Sequence, residues 1–122
     1  MTRSRSSAKA AGARFERQIA DALRAVLGDD RIDRRVKAGS KDRGDIGGVR
    51  AHGQRVVIEC KDTSRMTLPE WTTQARIEAG NDDALVGVVV HKRHGIADPM
   101  QQWVSCTVAD FVALLTGQAV QQ

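Results

Sequence analysis

Tyrosine is missing altogether, and two tryptophans and two phenylalanines are the only aromatic residues among 122. So few rings leave little on which splayed bases could stack, which argues against a single-strand reader built on aromatic platforms. Cysteine is as scarce: Cys60 and Cys106 lie in apolar, strand-like runs with no CxxC pair and no spaced histidine partner. Reduced core thiols are therefore expected rather than a disulfide or a zinc site, and with them a cytoplasmic compartment. No apolar run approaches membrane-spanning length, and the basic, serine-rich start lacks the apolar segment of a signal peptide. A membrane partner is not expected.

Charge is plentiful and unevenly spread. Residues 1–65 hold 16 Lys and Arg against 9 Asp and Glu, a balance of +7, whereas the remaining 57 hold 3 against 6, a balance of −3. Fourteen of the nineteen basic residues are Arg, whose planar fork suits bidentate contact with phosphate. On charge alone, a polyanion partner and a solubilising surface account for this equally well. The basic residues do not line a long amphipathic helix, so nucleic acid fits better than membrane. Candidate phosphate contacts are Arg3, Arg5, Arg14, Arg34, Arg35, Lys37, Lys41, Arg43 and Arg65. Apart from Gln18 and Gln54 this half has no Asn or Gln. Selectivity would then rest on DNA shape rather than on base edges.

A hydrophobic content of 41% suits one layered domain, placed at residues 8–117 between a flexible basic arm (1–7) and a short tail (118–122). Phe15, Ile19, Leu23, Val26 and Leu27 recur at helical spacing from Ala8 until Gly28 stops the helix. An edge-type strand is expected over Ile32 to Ala38, followed by a polar loop and two hairpin strands, Asp45 to Ala51 and Val56 to Lys61, turning at His52-Gly53. Thr67, Pro69 and Glu70 read as a capped start of a helix whose inner face is Leu68, Trp71, Ala75 and Ala79. Ala84 to Val90 is a doubly buried strand. A strand around Gln101 to Cys106 and a helix capped by Thr107 with Asp110 complete the chain. Strands joined through a helix imply a parallel pair, and helices can cover both faces of a mixed sheet. His91 and His94 read as part of a basic loop rather than as metal ligands, since no third ligand is near.

The stretch from Val56 to Lys61 organises the rest. As a strand, it turns Val57, Glu59 and Lys61 to one face and Val56, Ile58 and Cys60 to the other. The hairpin returns Asp45 alongside. For both acids to meet, the hairpin loop must hold an odd number of residues, unless Gly47-Gly48 forms a bulge. Two carboxylates on neighbouring strands are hard ligands suited to Mg²⁺ or Mn²⁺, and the backbone carbonyl of Cys60 could add a third oxygen. Lys61 is placed to orient water and steady charge on a phosphoryl group. A surface salt bridge between Glu59 and Lys61 is the plain alternative, because Asp followed by Glu-x-Lys is common by chance.

Context adds weight. In its helix-strand-strand-strand-helix-strand order over residues 8–106, the chain resembles the PD-(D/E)xK nuclease superfamily. Within it, the likeness is closest to the archaeal-type Holliday-junction resolvases and their phage relatives. The residues that carry it are Phe15-Glu16, Ala38-Gly39-Ser40, Gly44-Asp45-Ile46, Ile58-Glu59-Cys60-Lys61 and Gln74. The resemblance implies a restriction-endonuclease-like α/β fold, with an α-βββ-α-β core plus an extra strand and a C-terminal helix. It implies metal ligation by Asp45 and Glu59, a water-orienting role for Lys61, a supporting acid near the metal in Glu16, strand contact by Ser40 and an accessory role for Gln74. Gly44 stands where the family has Pro, a departure expected to cost little. A homodimer is also implied, with Met100, Trp103 and Ile96 as candidate interface residues. Duplex-cutting nucleases of the same fold and catalytically silent DNA-binding modules remain open beside a junction resolvase.

Overall fold

The computed structural model describes residues 3–36 and 39–120. Helix α1 spans Arg5–Leu27, capped at its start by Ser4, whose hydroxyl accepts from the Ser7 N–H, and closed by Gly28 at φ 61°. It therefore begins before Ala8, because Ser4 gives the first turn the oxygen it needs. Arg3 is tied down too, with Nη2 3.1 Å from Asp62 Oδ1.

Strand β1 is only Asp33–Arg34, not the longer run expected. Ile32 turns into the core while Val36 is 88% exposed, so beyond Arg34 there is nothing for the alternate side chains to pack on. Lys37 and Ala38 lie outside the described residues.

The first hairpin arm is split into β2 (Ile46–Gly47) and β3 (Arg50–Ala51), both antiparallel to β4 (Gln54–Lys61). The turn is two residues, His52 and Gly53, both at positive φ, the geometry that matches the twist of paired strands. Arg50 pairs with Arg55 but Ile46 pairs with Ile58, so five residues on one side face four on the other. The surplus residue is a bulge at Gly48, the alternative that reconciles a two-residue turn with the meeting of Asp45 and Glu59. Gly48 has φ +88°, and a Cβ there would lie 2.3 Å from the Arg31 carbonyl oxygen. Gly48→Ala should cost about 3 kcal/mol or more, from backbone strain plus overpacking. Gly53 shares the positive φ (+73°) but faces open space, and Gly53→Ala should cost roughly 1 kcal/mol. Denaturant melts of the two variants separate the effects; equal losses would show that the Arg31 contact does not matter.

Helix α2 (Leu68–Asn81) carries β4 over to β5 (Val86–His91), which lies parallel to β4. The expected capping box does not form. Thr67 sits at φ −132°, ψ 66° with no side-chain cap bond, away from the extended geometry a cap requires, and Pro69 opens the helix instead. A 3-10 turn at Pro99–Gln101 precedes β6 (Trp103–Ser105), and α3 (Val108–Thr116) is capped by Thr107 as expected. The mixed sheet runs β1-β2-β4-β5-β6, with β3 also on β4.

Two cores flank the sheet. Phe15 and Ile19 of α1 and Ala113 of α3 pack on Val56, Ile58, Val88 and Val90, with Cys60 and Cys106 at the margin. On the opposite face, Trp71 and Ala75 of α2 cover Val89. Each large side chain so enclosed contributes on the order of 2 kcal/mol. Glu59 and Lys61 alternate onto the α2 face. No helix among the described residues is long and apolar enough to cross a membrane.

Candidate metal centre

β4 lies between β2 and β5, so Glu59 and Lys61 project from an interior strand into the gap beneath α2. Glu59 is 3% exposed. Just before β2 begins, the Asp45 side chain turns toward β4, and its Oδ2 accepts from the Cys60 N–H at 2.8 Å. In a strand a residue's N–H and C=O point to the same edge, so the Cys60 carbonyl faces the side on which Asp45 sits. Ile46 pairs with Ile58, so Asp45 lies across from Glu59. The backbone holds this approach, with the Asp45 N–H donating to the Ile58 carbonyl at 2.8 Å.

Gly44 contributes more than an absence of side chain. Its φ is +95°, and a Cβ would lie 2.7 Å from a Val57 methyl. Proline, locked near φ −65°, does not fit this turn. The glycine is a requirement of this chain, not a substitution of little cost.

Lys61 Nζ lies 3.5 Å from Glu59 Oε2 and donates to Gln74 Oε1 at 3.3 Å. Gln74 Nε2 donates to Glu78 Oε2 at 3.2 Å. Glu78 is 1% exposed. Burial, contact with Asp45 and the charges of Asp45 and Glu78 push the Glu59 carboxyl well above the usual carboxylate range, against the pull of Lys61. Burial and the charges of Asp42 and Asp45 raise Glu78 in the same way. Glu16 is raised by partial burial and by Asp45, and lowered by Arg34, whose Nη2 is 3.5 Å away. Thus Asp45, Glu59, Lys61, Gln74 and, at the margin, Glu16 are brought together.

The remaining residues scatter. Ser40 is exposed on the loop leading to Gly44, with no hydrogen bond to the acids among the described residues. Arg5, Arg14, Lys41, Arg43 and Arg65 are exposed. Arg35 is not an open phosphate contact: its Nη1 lies 3.0 Å from Asp82 Oδ2 and donates to the Arg43 carbonyl at 3.0 Å. His91 is not in a basic loop but ends β5, 4% exposed, with Nε2 2.7 Å from Ser105 Oγ and its ring against Trp71. The Cys60 thiol, raised by burial and by the nearby acids, belongs to the core side as its place in the strand predicts.

Glu78 is not among the residues expected from the sequence, yet it follows Trp71 by seven residues and Ala75 by three, on the buried stripe of α2. That spacing was the available signal.

Buried carboxylate oxygens with nothing to accept are costly. Glu59 Oε1 and Glu78 Oε1 are both buried and without a hydrogen-bond partner. A divalent cation suits such oxygens. Among the described residues no three His, Cys, Asp or Glu side chains form a ready cage, so an ion here would be held by Asp45, Glu59 and the Cys60 carbonyl, with solvent or phosphate filling the rest, as Mg²⁺ prefers. No protein-family model, curated protein or solved structure matches the chain.

Proposed function

We propose that this chain is a metal-dependent endonuclease of PD-(D/E)xK type, with a restriction-endonuclease-like fold, that hydrolyses phosphodiester bonds in branched DNA, most specifically Holliday junctions. The observation that carries the reading is the meeting of Asp45 and Glu59, across a bulged hairpin, beside a lysine whose ammonium is held by two partners. A bound Mg²⁺ or Mn²⁺ would neutralise phosphate charge and make water a better nucleophile. Asp45 and Glu59 would hold the ion. Lys61, steadied by Glu59 and Gln74, orients the water that attacks phosphorus and offsets the charge that builds on the phosphoryl oxygens as the P–O bond to the leaving sugar breaks. Glu16 adjusts the field near Asp45.

The exposed basic residues of α1 and of the loop before Gly44 supply the sequence-independent attraction to phosphates. A junction needs two symmetric cuts and one chain has one site, which argues for a homodimer. Exposed apolar residues on β6 and α3, Val104, Val108, Phe111 and Leu115, together with Met100 and Trp103, suit that contact. Ile96 is half-buried.

The test is Mg²⁺-dependent cleavage of a four-way junction against a linear duplex of the same sequence, with competition binding at fixed salt. Paired nicks in opposing strands, and junction binding that survives excess duplex, are expected. Equal affinity with scattered nicking of duplex would replace this substrate with duplex DNA. No cleavage of either DNA with either metal would remove the enzyme reading.

A further inference from the structure

Only two acids are buried among the described residues, Glu59 on β4 and Glu78 on α2. Lys61 and Gln74 join them in a relay: Lys61 touches Glu59 and Gln74, and Gln74 donates to Glu78. The Gln74 amide cannot be reversed in this relay, since its NH₂ would then face the ammonium and its oxygen the carboxylate. One oxygen of each carboxylate stays unpartnered.

As packing, Glu78 is a poor choice. Replacing buried ionic groups with apolar residues of similar volume is often neutral or stabilising, and the neighbours of Glu78 on the α2 stripe, Trp71, Ala75 and Ala79, are apolar. An acid set beside two other acids weakens the metal-free protein, so its value must lie in what it holds. We infer that Glu78 is a positioning residue of the metal centre: through Gln74 it fixes the ammonium of Lys61 beside Glu59. This inference rests on the metal-dependent nuclease reading and adds a residue to it. Partners behind metal ligands commonly act in this way, fixing a ligand's orientation without touching the ion.

The experiment is a calorimetric titration of the whole chain with Mn²⁺ in the absence of DNA, alongside metal-free thermal melts, for wild type, Glu78→Met, Glu78→Gln and Glu59→Gln. Glu78→Met should bind Mn²⁺ about 10- to 100-fold more weakly while melting no lower than wild type. Glu78→Gln, which can still accept from Gln74, should stay within a few-fold of wild type. Unchanged affinity in Glu78→Met overturns the inference, and so does a weaker affinity accompanied by a lower melting temperature, which would trace the loss to packing. An equal loss in Glu78→Gln overturns positioning in favour of direct ligation. Should Glu78→Met not fold, Glu78→Asp withdraws the carboxylate by one methylene: weaker Mn²⁺ binding supports the role and unchanged binding ends it. Glu59→Gln separates the two levels. If it binds Mn²⁺ as wild type does, the metal reading itself falls; if it loses Mn²⁺ while Glu78→Met does not, only the role of Glu78 falls.

Discussion

Glu59→Ala and Asp45→Ala are each expected to lower Mg²⁺-dependent DNA cleavage by about 10³-fold or more, while DNA affinity stays level or rises. The size follows from the chemistry. A bound ion supplies several kcal/mol of transition-state stabilisation, and about 4 kcal/mol is a factor of roughly 10³ in rate. The register sets the two acids across from each other, so on the proposed reading the loss of either would leave an ion a single side-chain ligand. Binding responds in the opposite sense, because removing a negative charge near a polyanion weakens nothing that attracts it. Glu16 differs, since it stands on α1 and shares its charge with Arg34. Glu16→Ala should cost only about 10-fold. Single-turnover cleavage paired with a binding assay on the same DNA checks all three. Undiminished cutting by Glu59→Ala would remove this site from consideration.

The second large effect concerns pH without metal. Burial and neighbouring acids raise the Glu59 carboxyl far above its ordinary value of 4.5. The folded protein therefore holds that proton more tightly than the unfolded chain does. Its favourable contribution is complete below pH 4.5 and is lost as pH rises through the elevated folded value. Glu78 is shifted the same way and adds to the slope. Metal-free stability should thus fall from mildly acidic toward alkaline pH. Glu59→Gln, neutral at every pH, should flatten the profile and stabilise the metal-free protein at pH 8 by about 1–4 kcal/mol, or several degrees in Tm. Mg²⁺ should restore wild-type stability at that pH and leave Glu59→Gln unmoved. Urea melts across pH, with and without Mg²⁺, measure this. A wild-type profile that rises with pH would contradict the crowding of acids described above.

The sequence made the order of elements legible because hydrophobic spacing and glycine stops are strong local signals, as in α1 ending at Gly28 and α3 capped by Thr107. It overextended β1, since Val36 alternates correctly but finds no neighbour to cover it. It misjudged Thr67 because a capping box depends on backbone angles that the four letters do not encode. Asp45, Glu59, Lys61 and Gln74 were visible through alternation and resemblance. The partners of Arg35 and the burial of His91 were not, because both depend on residues distant in the chain: Asp82 for Arg35, Trp71 and Ser105 for His91. Glu78 is not among the residues expected from the sequence, although its spacing from Trp71 and Ala75 sets it on the buried face of α2.

The bulge at Gly48 also bears on which changes of length this hairpin can absorb. Five residues from Ile46 to Arg50 face four from Arg55 to Ile58. Deleting Gly48 would leave four against four and still carry Asp45 back to Glu59. Keeping all five while flattening the bulge would shift Ile46 onto Glu59 and send Asp45 to Cys60. Gly48 is thus a position where a gap in the chain does less harm to the site than a side chain would. Descendants of this hairpin should differ there by losing the residue, seldom by exchanging it.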